Sequence, residues 1–152
     1  MADLEGRESI EIDAPIEHVF AIAADIDRAP EWHGSMKSAR VIDRHDDGRA
    51  RRVEGEMDAM VAKVKLTLAF SYEEPTGVRW TRESGDLKGL DGWWDLEEMD
   101  GSRTRATYGL EIGLGRALAL LRKGVRGPAE SKVRDLLTNR PLEGLKREAE
   151  AG

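Results

Sequence analysis

Arg82, Tyr72, Trp80 and Tyr108 are the side chains of this 152-residue chain best suited to hold a small molecule. All four stand at even-numbered positions within alternating apolar segments, so strands would turn them toward one face. Rings that carry a single polar atom suit an apolar pocket in which a few hydrogen bonds fix orientation. A guanidinium at the end of such a wall would take a carboxylate, a phosphate or an enolate. The same spacing has an ordinary reading. An alternating stripe is also what a plain hydrophobic core looks like, and Arg82 would stand in solvent if its strand frayed at Ser84-Gly85.

The histidines carry less. His33 follows Trp32 at a helix-to-strand corner and has the chemistry of an acid or base near neutral pH. No carboxylate has a sequence-readable position to orient it, so a surface or corner histidine is expected. His18 falls on the polar side of the first helix and His45 in an Asp-Gly turn. Their spacing matches no helical zinc pair, and with no cysteine in the chain no metal is implied. Gly113-Leu114-Gly115 has only two glycines and follows a strand in a meander, which does not make a phosphate loop. No nucleophile elbow, kinase set or paired-carboxylate motif can be placed. No cofactor and no catalytic residue are therefore assigned.

The elements that must position these groups follow from periodicity. A strand is expected over Glu8–Ile12, with Asp13 as the helix N-cap and Pro15 in the first turn. Ile16, Val19, Phe20 and Ala23 line one face of that helix. Ile26 to Trp32 reads as a second short helix or turn, stopped by Pro30. Strands follow over Met36–Arg44, Arg49–Met57, Val61–Tyr72, Val78–Arg82, Leu90–Met99 and Thr104–Leu114. Asp47-Gly48 and Asp100-Gly101 are hairpin signals. Strands that succeed one another without helices between them form an antiparallel meander, so the class is α+β.

On this parity one face collects Met57, Leu68, Phe70, Tyr72, Trp80, Arg82, Trp94, Tyr108 and Leu110, the expected ligand-binding set; Trp93 faces the other way. The last segment is helical, with Leu118, Leu121, Val125, Val133, Leu136, Leu137 and Leu145 on its apolar side. Pro128 suits a first turn. Pro141 implies a kink or break near Thr138–Arg140.

The net charge of −6 argues against nucleic acid as a partner. Residues 116–152 hold nine Lys/Arg against five Asp/Glu, so the rest of the chain carries the acidic excess. That basic segment suits an anionic membrane surface or a protein partner, or is a solvated helix face. Within it, Gly115–Gly127 reads either as a basic lid or as a plain turn capping the sheet. No apolar run approaches the ~20 residues that span a bilayer. The opening MADLEGRESI has no hydrophobic signal core, and a cytoplasmic protein is expected. One domain over residues 1–152 fits the length, as a monomer or a homodimer.

The order of elements across IEIDAPIEHVFAIAADIDRAPEWHGSMKSARVI, residues 10–42, resembles the N-terminus of the START-like (SRPBCC) superfamily, the polyketide cyclase/dehydrase and lipid-transport proteins. Residues 87–112, LKGLDGWWDLEEMDGSRTRATYGLEI, resemble the paired strands those proteins place before their last helix. In them Gly92 fits a bulge or tight bend. The resemblance implies a helix-grip fold: a curved antiparallel sheet of six to seven strands around a long C-terminal helix, with two short helices after the first strand. It also implies an apolar cavity between sheet and helix that binds a small hydrophobic or amphipathic molecule, such as a lipid, a polyketide or an isoprenoid. A polyketide cyclase or dehydratase activity is the alternative. An interaction module like the coenzyme Q-binding and ribosome-association branch is a third.

Overall fold

The computed structural model describes residues 4–34, 36–58, 63–113 and 138–151. Seven strands form one antiparallel sheet: β1 (Leu4–Ile12), β2 (Met36–Arg44), β3 (Ala50–Asp58), β4 (Lys63–Glu73), β5 (Gly77–Gly85), β6 (Gly89–Asp100) and β7 (Arg103–Gly113). Their order across the sheet is β1-β7-β6-β5-β4-β3-β2. Strands 2 to 7 therefore meander as expected, and β1 closes onto β7. Helix α1 (Ile16–Ala23), a 3-10 turn (Ile26–Arg28) and α2 (Ala29–Trp32) follow β1, and α3 (Arg140–Ala151) is the last described element. This is the START-like, helix-grip architecture of the α+β class.

The first strand starts four residues earlier than alternation alone predicts. Residues Glu5 to Ser9 are mostly polar and exposed, so no hydrophobic signal marks them. They are held as a strand by an unbroken ladder to β7, from Leu4 opposite Ile112 to Ile12 opposite Thr104.

Asp13 is not the helix cap; Pro15 occupies that position, with φ −64° and ψ 150°. The Asp13 backbone N–H instead donates to the Glu150 carboxylate (2.9 Å), and the buried Thr104 hydroxyl donates to the Ala14 carbonyl (2.8 Å). Both bonds fasten the crossing from β1 to α1, which is why the helix begins beyond it. At the other end, Thr138–Asn139 adopt the wider π winding and α3 starts at Arg140, where Pro141 was expected to interrupt a helix. The apolar positions named between Leu118 and Leu137, Pro128 and the Gly115–Gly127 segment lie outside the described residues.

The β2–β3 turn shows why its sequence folds locally. Gly48 takes φ +90°, a conformation that side chains other than glycine rarely adopt, and Asp47 accepts the Arg49 N–H. The helices lie on the inner face of the sheet. Ile16, Val19, Phe20 and Ala23 of α1 and Leu142, Leu145 and Ala149 of α3 are buried there with Ile12, Leu96, Ala106 and Ile112. Helix α1 rests on β6 and β7, α2 on β2, and α3 on β1, β7 and the other two helices. Where α3 meets α2 the backbones touch so closely that a Cβ at Gly144 would run into the Trp32 carbonyl. Among the described residues no helix is long and apolar enough to cross a membrane.

Candidate functional site

Register and parity agree along the inner face. The even positions of β4 as far as Phe70, of β6 as far as Leu96 and of β7 are buried, and the odd ones between them are exposed or half-exposed except Gly109. Three cross-strand rows result. Tyr108, Trp94, Val78 and Tyr72 form one, and Leu110, Gly92, Trp80 and Phe70 the next. In the third, Arg82 stands opposite Leu68, which in turn pairs with Val53. Met57 lies farther along β3, opposite Val64. All nine residues expected on this face are found on it.

The aromatic rings make a continuous wall. Phe70 stacks on Trp80 (ring centres 5.7 Å apart), Trp80 on Tyr108 (5.6 Å) and Tyr108 on Trp94 (4.6 Å). Trp32 of α2 extends it from the helix side, 6.2 Å from Trp94. Offset and tilted contacts at these separations are the favoured geometries for ring quadrupoles.

Gly92 is the hinge of this wall, though not as a bulge. It sits in regular register between Trp80 and Leu110, and the Trp80 indole lies across it, filling the space any side chain would take. On the outer face the half-buried Trp93 covers Gly109 in the same manner. The bulges fall elsewhere, one of them at Glu83, which is skipped where β4 pairs with β5. That bulge follows Arg82 directly.

Two polar groups mark the two ends of the wall. Arg82 does not fray into solvent, because β5 continues to Gly85 and leaves the side chain half-buried. Its Nη2 donates to the Gly85 carbonyl (3.1 Å), whereas its buried Nε has no hydrogen-bond partner among the described residues. An unpaired buried donor on a cation costs about 1–3 kcal/mol or more, so an acceptor arriving there would be rewarded. Tyr72 is half-buried too, but its hydroxyl is already committed to the Ala50 carbonyl (2.7 Å). Burial is the main reason its pKa is raised, so the phenol stays protonated. His45, in the turn, contacts the Phe70 carbonyl through Nε2 (2.8 Å) and packs edge-on against Tyr72.

At the opposite end His33 overturns the expectation of a surface histidine. It is 4% exposed, packed between Trp32 and Tyr108, with its Nε2 3.4 Å from the Tyr108 hydroxyl. Burial lowers its pKa to about 4 and raises that of Tyr108, so both are neutral near pH 7. The sequence did hold a signal. His33 is the residue after a buried Trp and before Gly34, whose φ of +89° turns the chain into β2, so the corner must pack inward. His18, by contrast, lies on the outer flank of α1 as expected, with Nε2 3.2 Å from the Ala149 carbonyl.

The sequence model of the polyketide cyclase/dehydrase and lipid transport family matches residues 4–150. Among solved structures, a START superfamily protein from Mycobacterium smegmatis is similar over 97% of both chains, at 17% identity and a TM-score of 0.79. A protein from Thermus thermophilus matches 97% of this chain and 98% of its own, at 24% identity and a TM-score of 0.78. An aromatase/cyclase from a Streptomyces species matches 97% and 93%, at 14% identity and a TM-score of 0.71. At these identities the structural likenesses show the fold.

Proposed function

We propose, from the premise that this chain belongs to the polyketide cyclase/dehydrase and lipid transport family, that it binds a small amphipathic molecule along the aromatic wall of its sheet. The observation that carries this reading is the joining of four rings, Phe70, Trp80, Tyr108 and Trp94, with an Arg82 whose buried Nε lacks a partner among the described residues. Burial of the apolar body supplies affinity, at about 25 cal/mol per Å² removed from water. Met57, Leu68 and Leu110 widen the apolar surface, and Arg82 holds an anionic or enolic head group. Tyr72 shapes the wall by its ring alone, because its hydroxyl is engaged.

Native mass spectrometry of the purified protein would show a co-purifying small molecule as a non-covalent mass increment. Binding of 1-anilinonaphthalene-8-sulfonate and of uncharged Nile red measures the site directly. Arg82→Ala leaves the fold intact and weakens the sulfonate several-fold while sparing Nile red. Equal affinity of both forms for the sulfonate would overturn the role of Arg82, and failure of both dyes to bind would overturn the reading itself.

The contact between His33 and Tyr108 favours one further reading, a cyclase or dehydratase. Two neutral groups that can each donate or accept a proton would steer enolate closure and water loss. Turnover of a poly-β-keto substrate that Tyr108→Phe abolishes would support it, and turnover unchanged in that variant would remove it. The interaction-module reading rests on the basic segment from residue 116, most of which lies outside the described residues.

A further inference from the structure

A recess lies beside Trp32, among the helices. Its volume is about 350 Å³, and it opens between α1, α2 and α3. That volume is toward the small end of pockets that hold organic molecules, roughly 300–1,000 Å³. Helix α1 turns Ile16, Val19, Phe20 and Ala23 to the sheet, which leaves His18 and Ile22 on its other flank at i and i+4, and Asp25 follows just beyond its end. Arg28 and Trp32, four apart, supply the second wall, and Glu148 of α3 the third.

The floor and the rim differ in character. Ile22 and the buried Trp32 make the floor apolar. The rim is acidic: Asp25, Glu148 and the neighbouring Glu31 face a single arginine, Arg28. That arginine is held by Glu31 (3.1 Å) and only loosely by Glu148 (3.8 Å). The half-buried Asp25 carboxylate makes no hydrogen bond or ion pair with any described residue, and acts on Arg28 and on Arg44 only through space. Arg44 is itself engaged by Asp27 at 3.0 Å. His18 closes the inner end through its contact with the Ala149 carbonyl.

We infer that this recess is a second binding site, distinct from the sheet face, for a small organic cation: an ammonium group on a flat apolar body. The body lies on Ile22 and the part of Trp32 that lines the recess. The ammonium sits between Asp25 and Glu148 and replaces the long Arg28–Glu148 contact. An anion of the same shape meets two carboxylates, and a neutral molecule forgoes the ion pair.

The test is a titration of the full chain with 2-phenylethylammonium, followed by backbone and indole N–H chemical shifts. Phenylacetate and 2-phenylethanol serve as the anionic and neutral matches. The expected result is saturable shifts in α1, residues 25–32 and α3, several-fold tighter for the ammonium than for the alcohol, and weakened by salt. Asp25→Asn, at a carboxylate that makes no hydrogen bond with any described residue, weakens the ammonium several-fold and leaves the alcohol as it was. Glu148→Gln acts in the same direction. The proposal is overturned if the alcohol binds as tightly, if Asp25→Asn binds the ammonium unchanged, or if the shifts fall on β4 and β5 instead. Dye binding at the sheet face is measured independently, so failure at the recess leaves that reading standing.

Discussion

Two stretches of the inner sheet face are built from similar residue types and behave differently. Over β1, β6 and β7, beneath α1 and α3, the packing is complete: Ile12, Ala106 and Leu145 have no exposed surface, and the buried Thr104 hydroxyl is satisfied by the Ala14 carbonyl. Over β4 and β5 the described helices contribute little. There Val78 and Leu68 are as fully buried (0% and 1%), but Trp80 keeps 8% of its surface, Tyr72 and Arg82 are half-buried, and the Arg82 Nε lacks a partner among the described residues. Side chains in the first stretch specify a shape. Those in the second retain unspent interactions, as a binding surface requires. Tyr108 stands on the boundary, closed on the helix side by His33 and touching Trp80 on the other.

The sharpest way to separate the stretches is to empty a position under the helices. Leu145→Ala should cost about 2–5 kcal/mol, because it leaves a cavity in fully packed surroundings. Thermal unfolding measures the loss, and dye affinity per folded molecule should not change. A loss below about 1 kcal/mol would mean that the helix side is no better packed than the sheet side.

Acid should act through the boundary next. Well above pH 6.5 His33 is neutral whether the chain is folded or not. As pH falls toward 4, the unfolded chain takes up a proton that the buried imidazole refuses. The unfolded state then binds more protons, so stability drops, by about 3 kcal/mol across that interval. His33→Phe removes this component. Urea titrations at pH 7, 5.5 and 4.5 should show the wild type losing more stability than the variant; parallel curves would mean the histidine is hydrated.

Gly92→Ala should cost about 1–3 kcal/mol, since the Trp80 indole must leave its place over the strand. Unlike the Leu145 variant, it should also weaken both dyes, because the wall itself is displaced. Nile red affinity equal to wild type would show that Trp80 is not part of the surface that binds. The smallest effect is expected at Tyr72→Phe. Loss of the bond to the Ala50 carbonyl should lower stability by roughly 1 kcal/mol with little change in dye binding. A large change in affinity would show that the hydroxyl reaches the ligand after all.

Much of the sheet was legible in the sequence because period-two alternation is a local signal. Val64 to Tyr72 and Ala106 to Ile112 could be assigned to a face from their own neighbours alone. What escaped were features fixed by contacts far along the chain. The polar start of β1 is a strand only because β7 pairs with it, and Asp13 is kept from capping by its own N–H donating to Glu150 and by the Thr104 hydroxyl donating to the Ala14 carbonyl. Gly92 looks like a bend from its own neighbours, whereas Trp80, across the ladder, is what requires it. A lone histidine carries no periodicity, so nothing local marks His33 as buried, and only the packing of α2 on the sheet encloses it. At the candidate site the wall was therefore readable and its two polar ends were not.

The closure of β1 onto β7 has a consequence for how the molecule comes into being. Each of the other neighbouring strands finds its partner next in line, so hairpins from β2 onward assemble over short stretches of chain. Residues 4–12, synthesised before the other strands of the sheet, must wait until residues 103–113 exist before their ladder forms. Loop closure over that span is the entropically expensive step and should come late. The opening strand is in effect a latch, and shortening it should hasten the unravelling of the finished protein more than it slows assembly.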